Sequence, residues 1–129
     1  MVAYSFTPRF EVPILEGRKT RTIRAIGRRR HARPGEELQL YVGMQTSACR
    51  LLARRSCSSV VPVRLVFGTA GLAELFEVDG APIAPAAMEA FARADGFEDT
   101  GDMARFWFAT HAKRGTAVVD FAGLMVSWA

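Results

Sequence analysis

From Glu37 to Val78 the chain reads as one strand after another, and a helical period takes over only beyond Pro85. This segregation is the tightest constraint on the fold. Strands that run together and helices that follow them make an α+β domain, with the helices on the flank of a mostly antiparallel sheet. Glu37-Leu38-Gln39-Leu40-Tyr41-Val42 alternates polar and apolar residues, as a half-buried strand does. Cys49 to Phe67 is β-rich and predicts one long bent strand or two, with Pro62 at a bend or an edge. Leu72 to Val78 predicts another strand, and Asp79-Gly80 a tight hairpin returning through Ala81–Ile83.

The segment before this run is shorter and more broken. Tyr4-Ser5-Phe6 predicts a strand stopped by Thr7-Pro8. Phe10, Ile14 and Leu15 then fall at helical spacing between Arg9 and Glu16. Pro13 holds that helix to a turn or two, and Gly17 suits a left-handed stop. Thr20, Thr22 and Ile23 are β-branched and predict a strand from Thr20 to Arg24. Ala25 to Gly35 is a basic loop closed by Pro34-Gly35. At the other end, Pro85–Ala94 predicts a helix with Met88, Phe91 and Ala92 on one face. Asp99–Arg114 predicts a second, with Met103, Phe106 and Trp107 inward, and Phe121–Trp128 a last strand.

A chain of 129 residues, half of them hydrophobic, fits a single domain over 1–129 with a core of its own. No run of about 18–20 apolar residues is present to cross a membrane, and the first residues do not resemble a signal peptide. A cytoplasmic protein is expected. Cys49 and Cys57 have no His close by in sequence, so neither a metal nor any other cofactor is expected. Both cysteines read as ordinary strand residues.

Charge is distributed unevenly. Residues 1–70 hold 13 Lys and Arg against 4 Asp and Glu, whereas residues 71–129 hold 4 against 9. Eight of the cations (Arg18, Lys19, Arg21, Arg24, Arg28, Arg29, Arg30 and Arg33) fall in one stretch without a single acid. Such a stretch attracts phosphates, because each neutralised phosphate releases a condensed counterion. The plainer reading is a solvated, flexible loop.

The block Ile14-Leu15-Glu16-Gly17-Arg18-Lys19-Thr20-Arg21-Thr22-Ile23-Arg24, followed by Pro34-Gly35-Glu36, resembles the signature of the ASCH family, relatives of the RNA-binding PUA domains. Ala94-Asp95-Gly96-Phe97 ahead of an aromatic helix is similar as well. The resemblance spans Tyr4 to Trp128. It implies a PUA-like β-barrel with flanking helices and a cleft lined by the Lys-Thr-x-Thr-Ile-Arg strand. RNA or a modified nucleoside is the implied ligand. Small bacterial members hydrolyse the amide of acetylcytidine with a Lys, a Thr and a Glu. By position these are Lys19, Thr22 and Asp95, the last one methylene shorter than the Glu.

The residues themselves allow two readings. Alternation along a strand puts Thr20, Thr22 and Arg24 on one face, with Lys19 at its mouth. These groups, with Arg18, Arg21 and the loop arginines Arg28, Arg29, Arg30 and Arg33, suit a polar base and its phosphates. Tyr41 or Phe97 would add a stacking surface and His31 a phosphate contact, while His111 reads as a helix-surface residue. Alternatively, Thr22 is a nucleophile whose proton goes to a Lys19 of depressed pKa, with Asp95 orienting the lysine or protonating the leaving amine. RNA cleavage is a third, weaker reading. The bland counterpart is a Lys19–Asp95 salt bridge beside two strand-forming threonines. Oligomeric state is left open.

Overall fold

The computed structural model describes residues 1–68, 72–113 and 115–129. Its seven strands are β1 (Val2–Phe6), β2 (Arg21–Arg24), β3 (Glu37–Val42), β4 (Arg50–Gly68), β5 (Ala73–Val78), β6 (Ala81–Pro82) and β7 (Val118–Trp128). Three helices accompany them: α1 (Glu11–Leu15), entered through a 3-10 turn at Pro8–Phe10, α2 (Pro85–Ala94) and α3 (Thr100–His111). The second long helix therefore stops at His111. Ala112 and Lys113 are not helical, and Arg114, its last predicted residue, lies outside the described residues.

β4 organises the sheet. Over its first part it pairs antiparallel with β3, reaching Glu37↔Ser56. From Cys57 onward it pairs with β7, and from Val63 also with β5. The register breaks between Cys57 and Ser59, where the strand changes partner. One register break falls at this bulge, and Pro62, opposite Leu124 in the β7 ladder, stands just outside the β5 ladder that begins at Val63, an edge position that suits a proline. Asp79 and Gly80 both take positive φ (53° and 82°), as a two-residue hairpin between β5 and β6 requires.

Beyond β3 lies β1, which pairs with it in parallel, and beyond β7 lies β2. Among the described residues no backbone ladder joins β1 to β2, so the sheet does not close on itself. The gap is spanned by a side chain: Nη2 of Arg24 donates to the Ser5 carbonyl at 2.6 Å. Phe6 and Trp128 meet edge to face close by, at 6.2 Å between ring centroids.

The hydrophobic cluster runs between the sheet and α2 and α3. Leu38, Leu40, Leu65, Phe67 and Phe76 supply fully buried side chains from the strands, and Met103 one from the helices, joined by the buried Met88, Phe91 and Trp107. Leu15 does not join it; on the five-residue α1 only Pro13 and Ile14 are buried. No helix of the described residues is long and apolar enough to cross a membrane.

Candidate functional site

Lys19 reaches the interior because of how the chain leaves α1. Gly17 turns at φ +79°, and the backbone N–H groups of Arg18 and Lys19 both donate to the Pro13 carbonyl. This tight reversal sends the Lys19 side chain inward, where 3% of the residue is exposed. Opposite it, α2 ends in a Schellman motif. Gly96 takes φ +97°, its N–H donates to Arg93 O, and the Phe97 N–H donates to Ala92 O. Asp95 is the capping residue. Lys19 Nζ donates to its carbonyl at 2.6 Å and to its carboxylate Oδ1 at 2.9 Å. The Thr20 N–H donates to Ala94 O in the same place. A cation here meets both the carboxylate and the negative end of the helix dipole.

The fit is close on every side. A Cβ added at Gly96 would stand 2.8 Å from Lys19 Cδ and 3.0 Å from Phe10 Cδ1. Lys19 Nζ lies 4.6 Å from the Phe10 ring centre and 5.7 Å from that of Phe6, within cation–π range. Burial pushes the Lys19 ammonium below its ordinary value, and the Arg24 and Arg21 guanidinium groups push the same way; Asp95 opposes them. Burial likewise pushes the Asp95 carboxyl up, against the pull of Lys19, Arg21 and Arg24.

On β2, Thr22 and Arg24 share a face as the strand alternation requires. Arg24 Nε donates to Thr22 Oγ1 at 2.8 Å, and the guanidinium lies over Phe6 (5.0 Å) and Tyr4 (5.3 Å). Lys19, Thr22, Arg24 and Asp95 all line one cavity of about 250 Å³ at the gap between β1 and β2. Six aromatic rings, Phe6, Phe10, Phe97, Phe106, Trp107 and Phe121, make up much of its remaining wall. Both Lys19 Nζ bonds go to Asp95, while the Thr22 hydroxyl accepts from Arg24.

The other candidates lie apart from this cavity. Thr20 precedes β2 instead of belonging to it, and does not line the cavity. Arg21 lies on the opposite face, its guanidinium 4.6 Å from the Phe91 ring centre. Arg18 is exposed and pairs with Glu16. Arg28 and Arg33 are exposed in the loop, and Arg30 holds Glu36 through two bonds of 2.9 and 2.6 Å. Tyr41 bonds Gln39 and stays out of the cavity, whereas Phe97 is part of its wall.

His111 is exposed on the last turn of α3, as expected of a helix-surface residue, but its place beside the cavity is a further finding. It lines the cavity with Thr110, stacked on Trp107 at 4.2 Å between ring centroids. The Thr110 hydroxyl donates to Phe106 O, so the 2.6 Å contact with His111 Nδ1 takes its proton from the imidazole. In the neutral ring Nε2 then carries the lone pair, and burial pushes the His111 pKa down, favouring that neutral form. The signal was the α3 stripe itself: Met103, Phe106, Trp107, Thr110 and His111 continue one helical face from core into polar residues.

Cys49 and Cys57 are both free thiols. Among the described residues no group of three His, Cys, Asp or Glu is placed to hold a metal ion. Compared with family models, with curated proteins and with solved structures, the chain finds no match.

Proposed function

We propose that this chain is an ASCH-type, PUA-like domain of the cytoplasm that binds RNA or a modified nucleoside. The base enters the aromatic cavity beside Thr22 and Arg24, and the basic segment receives phosphate. The observation that carries this reading is the cavity, where Thr22 and Arg24 on β2 face six Phe and Trp rings, in a chain whose first half carries the excess of cations. Aromatic faces stack bases for about 1–3 kcal/mol each, without demanding a particular sequence. The pairing of Lys19 with Asp95 and of Thr22 with Arg24 favours binding over catalysis, since neither candidate base nor candidate nucleophile is directed at the other. The Arg24 bridge to Ser5 supports a barrel that is completed by side chains where the ladder stops.

A second reading is favoured by one observation: Lys19, Thr22 and Asp95 share the cavity, and burial lowers the lysine's pKa. In it Thr22 Oγ1 attacks the acetyl carbonyl of acetylcytidine and its proton passes to Lys19. The amine leaves protonated, and water then releases acetate from the threonine ester.

The test is a titration with labelled single-stranded RNA over a range of salt, beside an acetate-release assay. Contact with about four phosphates gives a slope of log affinity on log salt near −3. No binding at low salt, or a flat slope, counts against the binding reading. Acetate release that disappears in Thr22→Ala and partly survives in Thr22→Ser would establish the hydrolase instead.

A further inference from the structure

On the other side of Arg24 lies a second cavity, of about 370 Å³, enclosed by β1, the basic loop and the turn after β3. That volume is within the usual range for small-molecule sites, about 300–1,000 Å³. The two cavities share Ser5, Arg24 and Ala25, yet their chemistry differs. The first is aromatic and contains the carboxylate of Asp95. The second is lined by Arg24, Arg29, Arg30, His31 and Gln45 and by no carboxylate.

Its floor is tied down before any ligand arrives. The Ala25 carbonyl can only accept, so His31 Nε2 carries the proton of their 2.8 Å bond. His31 Nδ1 then accepts from the Tyr4 hydroxyl at 2.9 Å, and that hydroxyl accepts from the Ala32 N–H at 3.2 Å. The imidazole stacks on Tyr4 with an interplanar angle of 8°. Both His31 ring nitrogens and the Tyr4 hydroxyl thus have partners, so the loop pays little ordering entropy when a ligand binds.

Donors remain unused above that floor. Arg24 spends Nε on Thr22 and Nη2 on Ser5, while its Nη1 makes no hydrogen bond among the described residues. Arg29 has neither a hydrogen bond nor an ion pair to any described side chain. Gln45, held at φ +69°, is a non-glycine residue in the left-handed region, a conformation that tends to collect at ligand sites.

We infer that the second cavity is a phosphate subsite serving the first. A base in the aromatic cavity has its phosphate received across Arg24, by Arg24 Nη1, Arg29 and Gln45. The ligand class is therefore a phosphorylated nucleoside, free or within a strand, in preference to a nucleoside alone. Guanidinium groups suit this task because they offer paired N–H donors to phosphate oxygens. The inference rests on the reading of the first cavity as a base site.

Calorimetry on the full chain at low salt tests it, with cytidine, cytidine 5′-monophosphate, a pentacytidylate and inorganic phosphate as probes. The monophosphate is expected to bind at least about tenfold more tightly than cytidine. Arg29→Ala should bring that ratio close to one, and Arg29→Lys should restore part of it. A further gain with the pentacytidylate assigns the phosphate to a strand, and equality with the monophosphate assigns it to a free nucleotide; either result supports the subsite. Equal affinity for cytidine and its monophosphate, with cytidine bound, overturns the subsite and leaves the base site standing. Inorganic phosphate binding as tightly as the monophosphate overturns the coupling of the two cavities. Failure of every nucleoside and nucleotide to bind removes the base site, and the subsite with it.

Discussion

Past the exposed Arg18, the other seven cations up to Arg33 form one basic run in the sequence but two different materials in the fold. From Lys19 to Arg24 the cationic heads are withdrawn from water and held by named partners: Lys19 by Asp95, and Arg24 by Thr22 and Ser5. From Arg28 to Arg33 they sit in solvent, and the one pair there, Arg30 with Glu36, is on the surface. The contrast follows from what each half sits on. The first half enters a strand against β7 and meets the C-terminal end of α2, where a cation has a dipole and a carboxylate to satisfy it. The second half is loop, fastened inward through His31 and Ala32 and at the surface by Arg30 on Glu36. Buried cations here define a shape, and exposed ones supply a field.

The largest expected effect breaks the buried half. Asp95→Ala leaves the Lys19 ammonium without its carboxylate in a dry site. Removing one member of a buried pair costs about 3–5 kcal/mol. Urea unfolding at neutral pH measures it. A loss under about 1 kcal/mol would mean that Lys19 is already uncharged in the fold, and would undo the contrast between the two halves.

The pair also makes stability depend on pH. With the Lys19 pKa lowered by burial from its ordinary 10.5, the unfolded chain binds more protons than the fold between the lowered value and 10.5. Stability from this residue therefore rises as pH climbs through that window, is complete above 10.5, and is lost as pH falls through the folded value. Lys19→Met removes the dependence, so the difference in unfolding free energy between wild type and variant should change with pH over that window. A constant difference there would place Lys19 at its ordinary pKa.

A smaller loss is expected from Thr22→Val, which keeps shape and removes the oxygen that receives Arg24 Nε. A hydrogen bond to a charged group contributes about 1.5–3 kcal/mol. Arg24 also bridges β1 and β2, so amide exchange at Ser5 and Phe6 should quicken in the same variant. Unchanged exchange there would mean that the bridge to Ser5 does not depend on Thr22.

These three residues are legible in the sequence for different reasons. Parity along a strand puts Thr22 and Arg24 on one face, and a glycine-led turn before the strand delivers Lys19. Glu37–Val42 and Pro85–Ala94 are legible to the residue, because alternation and a proline-led helix are local signals. Thr20 misleads because its β-branched side chain suits a strand, whereas its N–H caps α2. His111 is legible as a surface residue of α3, but its place at the cavity is hidden, because a helical stripe looks alike whether its last members meet solvent or a cleft. The open seam between β1 and β2 is not legible at all. It depends on which distant strands pair, and that information is spread over the whole sheet.

The smallest effect is expected where the run looks strongest. Arg28 is exposed and carries no ion pair among the described residues, so Arg28→Ala should change unfolding free energy by less than about 0.5 kcal/mol. Arg30→Ala should cost only slightly more, because its pair with Glu36 is at the surface and screened by solvent. Glu36 also accepts the Arg33 N–H at 2.9 Å and the N-terminal ammonium at 3.2 Å, so it keeps partners when Arg30 is gone. Those same bonds, Arg30 foremost, hold the Glu36 carboxyl far below the ordinary carboxylate range. A carbon-detected NMR titration should therefore find Glu36 still ionised below the ordinary carboxylate range, and Arg30→Ala should move its midpoint upward. If Arg30→Ala instead destabilises the chain as much as Asp95→Ala, the loop is part of the core's support, and the division between shape and field does not hold.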